Sequence, residues 1–116
     1  MIPEYGYTYY RITYADANQT MPGIEPMVYV GLNIFNDEKE DTYYFQDAVS
    51  VVRYGLLDEA EETGDIKVMN CLKEHFGYDI VGIDQLPVIV TNALAKNEEM
   101  NNPVLKKAKG TWFTAS

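Results

Sequence analysis

The sequence predicts an α+β fold: a small antiparallel sheet of three or four strands covered on one face by two or three helices. Three observations lead to it. Apolar and β-branched residues alternate through much of the first third of the chain, the pattern of half-buried strands. After Phe45 the apolar spacing changes to threes and fours, the period of a helix. Asp47, Asp65 and Asp84 each stand just ahead of such a stretch, where a carboxylate caps free N–H groups. Strands followed by helices imply a sheet with its helices segregated to one side.

A first strand is read over about 6–14. Tyr7, Tyr9, Arg11 and Thr13 fall on one face, with Thr8, Tyr10, Ile12 and Tyr14 on the other. Residues 15–26 read as a loop, since Asp16, Asn18, Pro22, Gly23 and Pro26 are turn formers. Over 27–35, Val28, Val30, Leu32 and Ile34 form an apolar face of a second strand. Met27, Tyr29, Gly31, Asn33 and Phe35 form a mixed one. A charged turn follows, and a third strand over 42–46 closes a hairpin. Neighbouring strand residues point to opposite faces, so one of Tyr43 and Tyr44 is expected in the core and the other exposed.

Helices are expected at about 47–57, 65–76 and 84–96. In the first, Val49, Val52 and Leu56 follow the Asp47 cap, although Val51 and Val52 also suit a strand. In the second, Ile66, Met69, Leu72 and Phe76 recur at helical spacing, and Gly77 suits a left-handed end position. Residues 78–83 are short and apolar, either a fourth strand or a crossing segment. In the third, Pro87 sits within the first turn and Leu86, Ile89 or Val90, and Ala93 or Leu94 form a stripe, while Val88–Thr91 also suits a buried strand. Residues 1–116 read as one domain with a short basic C-terminal segment, 100–116, carrying Lys106, Lys107, Lys109, Trp112 and Phe113.

Charge bounds the function. The 116 residues carry a net charge of −9, and the window from Asp37 to Asp65 holds ten acids against two bases. Such a surface repels nucleic-acid phosphates and attracts basic partners. No run of about 18 apolar residues offers a membrane span. The N-terminus lacks the pattern of a secretory signal, and the single Cys71 cannot form an internal disulfide, so a cytoplasmic location is expected.

No phosphate loop or nucleophile elbow is present. Cys71 and His75, four apart, would share a helix face, but two ligands do not close a metal site. A deep pocket joining them to a carboxylate would point to an enzyme. The sequence instead suggests a non-enzymatic, cofactor-free inhibitor that neutralises a basic protein, such as a nuclease or nucleic-acid-binding complex. Immunity proteins for nuclease toxins and phage-encoded anti-CRISPR inhibitors have this role. The expected contact residues are Asp37, Glu38, Glu40, Asp41, Tyr43, Tyr44, Glu59, Glu61 and Glu62, with carboxylates occupying phosphate positions and tyrosines supplying contact area. The alternative is a self-associating structural subunit of a phage or mobile element, a homodimer pairing through its tyrosine-rich first strand.

Overall fold

The computed structural model describes residues 2–35, 39–61 and 64–100. Asp37, Glu38, Glu62 and the basic segment with Trp112 and Phe113 lie outside them. Five strands, β1 (Thr8–Tyr14), β2 (Pro22–Leu32), β3 (Thr42–Asp47), β4 (Val68–Leu72) and β5 (Ile80–Val81), form one antiparallel sheet in the order β4-β3-β2-β1-β5. Helix α1 (Ala48–Tyr54) follows β3 directly, and α2 (Leu86–Met100) follows β5 through a 3₁₀ turn at Ile83–Gln85. The class is α+β as predicted, with five strands where three or four were expected and two helices where two or three were. No helix among the described residues is long and apolar enough to cross a membrane.

The sheet curls, and its concave face holds the core. Strands two places apart in a flat sheet are separated by roughly 9.5 Å. The rings of Tyr9 on β1 and Phe45 on β3 nevertheless have centroids 5.9 Å apart. Phe76 meets both, and Tyr43 as well. It lies on the link from β4 to β5, which joins opposite edges of the sheet. Met27, Tyr29, Cys71 and Ile80 complete this cluster. The main core cluster therefore lies on the mixed face of the second strand, while Val28 and Val30 of the apolar stripe are buried on the other face. A bulge between Tyr29 and Gly31 breaks that stripe, leaving Leu32 and Ile34 largely exposed.

Both Tyr43 and Tyr44 are buried, contrary to expectation. The alternation itself is correct, but both faces of the sheet are covered. Tyr43 enters the concave core, whereas Tyr44 packs edge-on against Phe35 on the other side. Gln46 shares that second face and is fully buried. Its amide donates to Ser50 Oγ (3.1 Å) and the Gly55 carbonyl (3.0 Å), and its oxygen accepts from the Leu57 N–H (2.8 Å). One side chain thus ties α1 and the following segment to the sheet.

Helix α1 starts at the expected cap. The Asp47 carboxylate accepts from the backbone N–H groups of Ser50 (3.1 Å) and Lys67 (3.3 Å). The helix stops earlier than expected, at Gly55, whose φ of 85° is open to glycine. The expected helix over 65–76 is instead β4 followed by a 3₁₀ turn, Lys73–His75. The segment also carries a period of two: Met69 and Cys71 stand opposite Phe45 and Tyr43 across the ladder. Pairing with β3 satisfies a row of backbone groups that a helix would leave open. The second strand begins at Pro22, inside the expected loop. At Pro22 and Pro26 it pairs with β1 but has passed the end of β3, so a missing N–H interrupts no ladder on that side. The remaining loop is closed by Asp16, whose carboxylate accepts from the N–H groups of Thr20 and Met21 and the Thr20 hydroxyl.

Burial pushes the Asp47 carboxyl up, but its bonds from Ser50 and Lys67 outweigh that and hold it below the ordinary aspartate value. A lowered folded-state pKa contributes stability that is present above the unfolded value and lost as pH falls through the folded one. Asp47→Ala should therefore cost about 1–2 kcal/mol at neutral pH. In urea unfolding at stepped pH, the gap to the parent protein should close as pH drops below about 4.

Candidate partner-binding surface

The described acids of the expected surface fall into two groups attached to different elements. Glu40 and Asp41 stand at the β2–β3 hairpin tip, both exposed. Asn33 organises this tip from a positive φ of 50°. Its side chain donates to Asp41 (3.0 Å) and accepts from the Thr42 N–H (2.8 Å). The Asp41 carbonyl accepts from the Lys73 N–H at the end of β4 (3.0 Å). A shallow hollow there is lined by Glu40, Asp41, Lys73 and Glu74, so a lysine tempers the anionic field.

The second group is Glu59 and Glu61, exposed in the segment after α1, where the structure adds Asp58, an exposed acid outside the expected set. Gln46 fixes the start of that segment at Gly55 and Leu57. Its other anchor is Tyr5, whose hydroxyl donates to Asp58 Oδ1. The hydrogen bond that the phenol donates to Asp58, then desolvation, then the negative charges of Asp58 and Glu59 push the Tyr5 pKa up to about 12. Tyr5 is about half exposed. It supplies the aromatic surface beside acids that was expected of Tyr43 and Tyr44, whose buried rings cannot touch a partner. The sequence signal for it was the N-terminal tyrosine cluster, but its link to Asp58 spans 53 positions.

Among the described residues the ion pairs are Arg11 with Glu25 (3.6 Å) and His75 with Glu74 (3.9 Å), neither involving Glu40, Asp41, Asp58, Glu59 or Glu61.

Cys71 and His75 do not share a helix, because Cys71 is on β4 and His75 ends the 3₁₀ turn. Both line a cleft of about 360 Å³ between β4 and β1, with Asp79 and Arg11. Burial, reinforced by the Asp79 charge, pushes the Cys71 thiol up and keeps it protonated. Its S–H points to the Leu72 carbonyl (3.5 Å). The described residues contain no His, Cys, Asp and Glu cluster suited to a metal ion.

No family model, curated protein or solved structure matches this chain.

Proposed function

We propose that the chain is a cytoplasmic, non-enzymatic binding protein that captures a basic protein partner and blocks it, in the manner of an immunity protein or an anti-CRISPR inhibitor. The observation that carries this reading is the Tyr5–Asp58 contact, which seats a half-exposed aromatic ring among solvent-facing carboxylates. Carboxylates speed the encounter with a cationic surface, and an aromatic ring beside them adds contact area at little entropic cost. Glu59 and Glu61 extend this patch, and Glu40 and Asp41 offer a second one at the hairpin tip. Affinity capture from the native host, followed by identification of the bound protein, tests the reading. Enrichment of a basic nucleic-acid enzyme supports it, and enrichment of acidic partners alone counts against it.

One observation favours self-assembly as the second reading. Strand β4 is the last in the sheet order, with no described strand on its outer edge. The first strand, by contrast, is paired along its length with β2 and at Tyr10 and Arg11 with β5, so its outer edge is partly covered. Light scattering over a concentration series separates the two. The first reading requires a monomer throughout, and a dimer that Asn70→Pro in β4 dissolves would favour the second.

A further inference from the structure

We propose that the cavity between β1, the turn at 77–79 and the start of α2 is a socket for an arginine side chain. The proposal rests on the reading above, to which it adds a specific point of contact. The cavity has a volume of about 550 Å³, within the range of small-ligand pockets. Its lining combines three chemistries. Ile12 and Ile89 provide apolar wall, Tyr14 and Tyr78 provide aromatic rings, and Asp79 and Asp84 provide carboxylates. Tyr78, Asp79 and Asp84 are exposed, so the charged and aromatic groups are open to an incoming side chain.

The socket is built before any ligand arrives. Gln85 clasps its two sides: its side-chain oxygen accepts from the Gly82 N–H (3.2 Å) and its amide donates to the Gly77 carbonyl (3.4 Å). Gly77 takes a φ of 99°, which makes the turn at 77–79 possible. At Gly82 a Cβ would come within 2.7 Å of an Asp84 carboxylate oxygen, so the glycine lets that carboxylate lie close to the backbone.

This lining fits a guanidinium better than other groups. A planar fork pairs with carboxylates and stacks on tyrosine, while the methylene stem covers apolar wall. A ligand carboxylate would meet two like charges, and a hydrocarbon would desolvate both aspartates without compensation. Two described cations stand nearby. Lys96 Nζ lies 2.9 Å from Gln19 Oε1, and Gln19 also lines the cavity. Arg11 shares the adjoining cleft with Asp79 but is paired with Glu25. Among the described residues neither cation forms an ion pair with Asp79 or Asp84.

The test is titration of the isotope-labelled full chain with the amide of N-acetyl-arginine, followed by NMR at the amides of Tyr14 and residues 77–85. The lysine and glutamate analogues are titrated in parallel. Saturable shifts confined to these residues are expected for arginine, with a Kd of roughly millimolar order for so small a probe. The double change Asp79→Asn and Asp84→Asn should weaken binding about tenfold, and Tyr78→Ala about threefold. Tyr78 is exposed, so its replacement leaves folding intact. Equal shifts from glutamate, equal affinity for lysine, or an unchanged affinity in the double variant would overturn the assignment. The titration involves no partner, so its failure removes the socket alone, whereas failed capture with the socket intact removes the reading of the partner.

Discussion

Gln46→Leu is expected to lower the unfolding free energy by about 2–4 kcal/mol. The Gln46 side chain is fully buried and makes three hydrogen bonds, to Ser50, Gly55 and Leu57. Leucine has similar bulk but leaves the Gly55 carbonyl and the Leu57 N–H without this partner. Stranding such groups costs more than the bonds themselves contribute. The loss is large against the roughly 5–15 kcal/mol that holds a domain of this kind together. The change also acts on function, because the bonds from Gln46 fix the start of the segment that presents Asp58, Glu59 and Glu61. Urea unfolding gives the energy, and amide hydrogen exchange should show faster opening over residues 55–61 than over β1 and β2. Equal opening throughout would mean that the segment has no separate dependence on this clasp.

The second large effect concerns binding. Reversing Glu40, Glu59 and Glu61 together to lysine should weaken partner capture by at least about a hundredfold while changing stability by less than about 1 kcal/mol. Each reversal adds two units, so the net charge rises from −9 to −3. All three side chains are exposed and outside the ion pairs seen among the described residues. Asp41 is left unchanged on purpose. Its bond to Asn33 organises the hairpin tip, and reversing it would mix a folding defect with a binding one. The same reasoning spares Asp58, which holds Tyr5. An unfolding curve matching the parent, together with lost capture, is the expected pair of results.

How far the sequence disclosed this molecule depended on whether the deciding forces were local. Asp47 announced α1 because a cap acts within three residues, and Pro87 marked the start of α2 for the same reason. Strand β4 was misread because Ile66, Met69, Leu72 and Phe76 satisfy a helical period, while the need of β3 for a partner appears only in the folded sheet. The beginning of β2 was hidden by Pro22 and Pro26, which are turn formers except where a strand has no neighbour on one side. Tyr43 and Tyr44 were expected to divide between core and solvent. Curling encloses one face and Phe35 with α1 covers the other, which no alternation pattern can reveal. At the surface, the exposure of Glu40, Asp41, Glu59 and Glu61 was legible from charge alone. The pairing of Tyr5 with Asp58 was not, since it joins the N-terminal segment to a turn 53 positions away.

The central claim, that solvent-facing carboxylates draw in a cationic protein, is tested most directly by the association rate with the captured partner at increasing salt. The account predicts a rate that falls at least about tenfold as monovalent salt rises from about 0.05 to 0.5 M, with most of that dependence gone in the triple lysine variant. A rate indifferent to salt, and equal in both proteins, would contradict it.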